Sequence, residues 1–141
     1  MSKRLLGVLL APALFGVPVV GAADELAGQQ QLLCSSVHAT VCNTDGDCKS
    51  QPPWTLDIPQ FVEVNLKDKV ISTTRASGEN RSTSIHFVER ERGQIFFQGV
   101  ENGRAFSFVL QEDTGMASIA VASEGKTVSV FGACTPLPAA K

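Results

Sequence analysis

The chain has no tyrosine and only two histidines, and its basic residues do not outnumber its acidic ones. His38 and His86 stand apart from each other and belong to no zinc-type ligand motif, so neither a metal site nor a histidine-based proton relay is indicated. The serines lack the G-x-S-x-G setting of a nucleophile elbow, and the four cysteines include no C-x-x-C redox pair. Carboxylates such as Asp57, Glu63 and Glu89 are present, but nothing in their spacing singles them out. These absences leave no catalytic, cofactor-binding or metal-binding constellation, and the chain reads as a non-enzyme. All 14 acidic residues lie beyond position 23, whereas Lys3 and Arg4 precede it, so the remainder carries 10 basic groups against 14 acidic ones, about −4. That sign disfavours nucleic acid and anionic membrane surfaces as partners.

One long apolar run exists, residues 5–20, preceded by Lys3-Arg4 and followed by Gly21-Ala22-Ala23. A basic start, a short apolar stretch and a small-residue end are the layout of a secretory signal peptide, with cleavage expected after Ala22 or Ala23. The run is short for a hydrocarbon core that needs about 20 residues, and Pro12 and Pro18 interrupt it. No later segment is comparably apolar, so stable membrane insertion is not expected after cleavage, and Cys34 lies too far past the run to be a lipid-anchor cysteine. The reading is an exported protein, periplasmic or secreted. The mature 118 residues suffice for one domain with a modest core that gains from covalent cross-links.

Four cysteines in an exported chain imply two disulfides, for which three connectivities exist. Cys42 and Cys48 bracket Asn43-Thr44-Asp45-Gly46-Asp47, a strong turn sequence that brings its ends together. Pairing them leaves Cys34 with Cys134, which would tie the two ends of the domain. Cys42–Cys48 with Cys34–Cys134 is therefore the favoured set.

From Phe61 onward the sequence alternates. Val62, Val64 and Leu66 share one face, residues 70–74 are a β-branched run, and Ile85, Phe87 and Glu89 share a face after a loop at 75–81. Ile95-Phe96-Phe97-Gln98 leads to Asn102-Gly103, the strongest two-residue hairpin signal in the chain. Phe106, Phe108 and Leu110, then Ala117, Ile119 and Val121, then Val128 and Val130 continue the pattern. Strands recurring every 8 to 12 residues with glycine-bearing turns point to an all-β fold. The short consecutive connections favour a small antiparallel up-and-down β-barrel, or a sandwich, of about seven or eight strands. The expected organisation is a signal at 1–23, a disulfide-bearing segment at 24–53, the ladder at 54–136 forming one domain with it, and a tail at 137–141. A first strand is expected at 36–42, with a helical turn or two within 25–33.

Three short motifs dissolve on inspection. Asp113-Thr114-Gly115 resembles an aspartic-protease triplet, but those enzymes need two copies and the chain has one, set as a hairpin turn. Gly125-Lys126-Thr127 lacks the upstream glycine of a phosphate loop, since position 120 is Ala, and precedes a strand. The 43–47 turn lacks the acidic ends of a calcium loop, because Val41 and Pro52 occupy them. The most informative surface feature is the 75–81 loop: Arg75, Ser77, Gly78, Glu79, Asn80 and Arg81 form the candidate interaction site, since loops on a rigid scaffold commonly carry recognition.

Residues 94–108 (QIFFQGVENGRAFSF) and the ending Phe131-Gly132-Ala133-Cys134-Thr135-Pro136 resemble a group of small exported bacterial cysteine-containing β proteins without assigned function. The resemblance covers about half of the mature chain and implies no residue roles. The expected architecture is also similar to that of the periplasmic lysozyme inhibitors, disulfide-linked barrels that insert a Ser-Gly loop into an enzyme cleft. Ser77-Gly78 matches that element, whereas Glu79-Asn80-Arg81 departs from the rest of it. The functional expectation is a non-catalytic exported binding or interaction protein, inhibitor-like through the 75–81 loop, with a periplasmic protein as partner. The alternatives are a barrel for a small apolar ligand, with a cavity lined by Phe87, Phe97 and Phe106, and a structural envelope protein. Oligomeric state is not specified by the sequence.

Overall fold

A computed structural model describes residues 25–138; the expected signal at 1–23 and the last three residues lie outside them. Nine strands follow in order: β1 (Gln31–Asn43), β2 (Cys48–Gln51), β3 (Phe61–Asn65), β4 (Val70–Thr73), β5 (Ser82–Glu91), β6 (Gln94–Glu101), β7 (Arg104–Gln111), β8 (Met116–Ser123) and β9 (Lys126–Pro136). Every pairing is antiparallel, and consecutive strands from β3 to β9 are neighbours. Pairing of β1 with β9 along most of their length closes the sheet. The result is an eight-stranded up-and-down barrel with β2 as an additional strand.

Strand β1 makes closure possible because it is long enough to serve three partners. One edge pairs with β9; the other pairs with β3 through residues 31–35 and with β2 through residues 39–42. The segment 24–53 is thus no appendage, since β1 is a stave of the barrel. It also begins at Gln31 rather than at residue 36, and 48–51 is a strand rather than a connection. Neither stretch alternates by itself: residues 31–35 are held extended by β3 and β9, remote in sequence, whereas 48–51 is held by the other arm of its own hairpin, residues 39–42 of β1. A turn at 25–28 replaces the helix expected there.

Alternation sets the inside. Ile95 and Phe97 of β6, Phe108 and Leu110 of β7, and Val128 and Val130 of β9 point inward and are buried. Asn102 and Gly103 both adopt positive φ (49° and 75°), the two-residue turn that matches the twist of the flanking strands. Two bulges break the alternation. One lies between Ser36 and His38 of β1, and its extra residue, Val37, is exposed. The other lies between Ile85 and Phe87 of β5, where it turns Phe87 outward and Val88 toward the core.

The two ends of the barrel differ. At the lower end Leu26 is fully buried and plugs the opening, together with Leu32, Val64, Leu66 and Ile95. The Leu26 backbone N–H donates to the Glu112 carbonyl (3.0 Å), and Arg90 clamps the plug through Glu112 and the carbonyls of Leu26 and Gln29. Phe97 stacks on Phe108 with centroids 4.3 Å apart, and Phe106 meets Phe108 edge-on. The disulfide Cys34–Cys134 joins directly opposed residues of β1 and β9 across the closure seam, and Cys42–Cys48 staples the β1–β2 hairpin. These are the two pairings favoured by the spacing.

Candidate functional site

The upper half of the barrel is not filled. A cavity of about 110 Å³ opens toward the upper mouth, its body lined by Val62, Ile71, Phe106, Phe108, Ile119 and Val130. Its wall also contains small side chains, Ser36 on β1 and Ala117 on β8, which take up little of the space beside the aromatic pair on β7. Gly99 places the upper aromatic ring: a Cβ there would lie 2.4 Å from Phe106 Cζ and 2.6 Å from the Ser84 carbonyl oxygen. The ring can therefore occupy this position only over a residue with no side chain.

Four charged side chains circle the mouth. Glu101 and Arg104 are directly opposed across the Asn102-Gly103 turn, and Arg104 Nη2 lies 3.3 Å from Glu101 Oε2. Arg81, which immediately precedes β5, reaches the same Glu101 oxygen at 3.4 Å. The other oxygen of Glu101 accepts a 2.7 Å hydrogen bond from Thr83 Oγ1. Asp57 completes the circle, with Oδ1 3.1 Å from Arg81 Nη1 and Oδ2 3.5 Å from Arg104 Nη2. Two positive and two negative groups thus form a closed ring, with Glu79 at 3.8 Å from Arg81 outside it.

Asp57 arrives there on a strap. Residues 53–56 form a 3₁₀ turn started by Pro52-Pro53, and Asp57 ends it in the left-handed conformation (φ 57°, ψ 33°), which Asp tolerates better than most residues. Leu56 and Ile58 on either side pack on Ala39, Val128 and Val130 of the β1–β9 wall. The Asp57 side chain reaches arginines at the start of β5 and β7, on the other side of the barrel. The strap therefore crosses the mouth. Arg81 also donates to the Asp57 carbonyl (3.3 Å), which holds the backbone independently of the carboxylate.

The 75–81 loop lies at this same end. Its first half is a 3₁₀ turn (Arg75–Ser77) closed by Gly78 at φ 73°. The Ser77 hydroxyl donates to the Thr74 carbonyl (2.7 Å) and accepts from the Glu79 N–H (3.1 Å), which holds the loop's turn in shape. Thr73 Oγ1 accepts from the Arg81 N–H (3.1 Å) and fixes the loop's end. Of the candidate residues, Arg81 joins the ring and Glu79 flanks it, whereas Arg75, Ser77, Gly78 and Asn80 are exposed outside it.

The aromatic residues expected around a cavity divide three ways. Phe106 lines it, Phe97 is packed beneath it at 0% exposure, and Phe87 is turned outward at 46% by the β5 bulge. Reading of the sequence missed Asp57, Thr83, Glu101 and Arg104 as members of one site. The signal that could have found Glu101 and Arg104 is their opposite charge on either side of an Asn-Gly turn, which makes them face each other. No protein-family model matches the chain, and no curated protein is detectably similar to it in sequence.

Proposed function

We propose that the protein is a non-catalytic binding barrel of an oxidising, extracytoplasmic compartment, the periplasm in the simplest case, and that it takes a small, largely apolar molecule. One observation carries this reading: a barrel sealed by Leu26 below keeps an apolar cavity of about 110 Å³ beneath a polar mouth. Natural interiors are packed to crystal density, with few voids larger than a water molecule. For scale, an engineered apolar void of roughly 150 Å³ takes up benzene, so the tail accommodated here is about one ring in size. The two disulfides suit an oxidising compartment. The apolar-ligand alternative thereby moves ahead of a protein partner captured by the 75–81 loop, because the Ser77 hydroxyl and the Arg81 guanidinium are engaged within the molecule.

Methyl NMR of the purified protein titrated with benzene tests the reading. Shifts at Ile71, Ile119 and Val130 that saturate are expected, with little change at Ile95 or Leu110. Spectra unchanged at saturating benzene would overturn it. Native mass spectrometry of protein taken from its own compartment should show a co-purifying small mass, and denaturing the sample should show the absence of residues 1–23.

A further inference from the structure

Taking the cavity as the ligand site, we propose that its occupant is a small organic carboxylate whose head group replaces the Asp57 side chain between Arg81 and Arg104. The two carboxylates of the ring are held very differently. Glu101 is 25% exposed and bound on both oxygens, by Thr83 and by the two guanidiniums. Asp57 is 76% exposed and presents one oxygen to each arginine, at 3.1 and 3.5 Å. Glu101 is the fixed member and Asp57 the exchangeable one. Two guanidiniums converging on a single carboxylate at the mouth of an apolar cavity form a receptor for that group, and the planar guanidinium suits it geometrically.

Charge points the same way. With the Asp57 carboxylate swung into water, the two guanidiniums keep Glu101 inside the ring and Glu79 at 3.8 Å outside it, and an incoming monoanion takes the place Asp57 leaves between them, so the charge facing Arg81 and Arg104 is unchanged. The exchange costs little desolvation, since Asp57 is already mostly in solvent. It also needs no opening of the strap, which stays anchored by Leu56, Ile58 and the bond from Arg81 to the Asp57 carbonyl. Asp57 is thus a built-in competitor that occupies the head-group position when no ligand is present, leaving the apolar cavity below for the ligand's tail.

The test is a set of matched titrations by calorimetry and methyl NMR, using hexanoate, 3-methylbutanoate and phenylacetate against their amides. Wild type, Asp57→Asn and Arg104→Gln are compared. Asn accepts the left-handed backbone as readily as Asp, and the bond to the residue-57 carbonyl survives, so the variant keeps the strap. The expected result is that carboxylates bind more tightly than amides. Asp57→Asn should tighten the carboxylates by roughly tenfold, the scale of two partly exposed ion pairs, and leave the amides unchanged. Arg104→Gln, which leaves Arg81 as the one remaining cation, should narrow the difference. Equal binding of acids and amides to all three proteins would overturn the head-group assignment while the cavity reading stands. A carboxylate preference untouched by Asp57→Asn would overturn the exchange. Failure of every acid and every amide to bind wild type or Asp57→Asn would overturn the cavity as a ligand site, and this proposal with it.

Discussion

Replacing Ala117 by Val probes the cavity through the sign of a stability change. Ala117 is 3% exposed and lies on the cavity wall. Two added methyl groups that enter empty apolar space are worth about 0.8 kcal/mol each, so stabilisation of roughly 1 to 1.5 kcal/mol is expected. Val also suits a strand better than Ala, which would by itself raise stability at any strand position. Ala39→Val controls for that gain. Ala39 is likewise in a strand and fully buried, but it packs in the Val128–Val130 cluster and does not line the cavity. Overpacking there should destabilise by about 1 to 3 kcal/mol. Thermal unfolding should therefore move in opposite directions, by about 4 °C or more per kcal/mol for a domain of this size. Benzene binding should weaken in Ala117→Val alone. If both variants lose stability to a similar extent, the upper barrel is packed solid and the cavity argument fails.

Three further outcomes are expected. Removing Cys34–Cys134, which closes a span of 100 residues, should cost more than removing Cys42–Cys48, which closes a span of six; loop entropy alone gives about 4.7 against roughly 2.2 kcal/mol. The contrast should widen in denaturant midpoints because β2 lies outside the barrel, and equal losses would refute the closure role of the first bridge. Gly99→Ala should destabilise by about 1 to 3 kcal/mol and weaken cavity binding as Phe106 is displaced; retention of wild-type stability and affinity would show that the ring position is not set by this glycine. Arg75→Ala should leave stability within about 0.5 kcal/mol of wild type and cavity binding unchanged, whereas Ser77→Ala should cost about 1 kcal/mol and speed hydrogen exchange in residues 75–81. Loss of cavity binding in Arg75→Ala would place recognition in the loop instead of the mouth.

Much of the barrel was legible because a half-buried strand carries its own record. Val62/Val64, Ile95/Phe97, Phe106/Phe108/Leu110 and Val128/Val130 alternate with the pleat, and the Asn102-Gly103 turn pairs its flanking strands with no help from the rest of the chain. The cysteine pairing was legible for the same local reason at 42–48, and by elimination for Cys34 and Cys134. Where local pattern was weak, the reading slipped. Residues 31–35 are extended because β3 and β9 hold them on both edges. Phe87 points outward because a bulge shifts the pleat by one residue, which no composition rule announces.

The candidate site was the least legible part. Glu101 and Arg104 are neighbours by turn geometry, but Arg81 joins them only through the β5–β6 pairing, and Asp57 only because a proline-started strap crosses from the β1–β9 wall to the opposite rim. The sequence by itself determined an antiparallel ladder, its main hairpin and a two-disulfide frame, since these depend on periodicity and on neighbours close along the chain. Tertiary structure alone decided closure by β1, the unfilled space lined by Phe106 together with Ser36 and Ala117, and the meeting of Asp57 with two arginines. Those features depend on which side chains face each other across the barrel, a relation between residues far apart along the chain that no local pattern encodes.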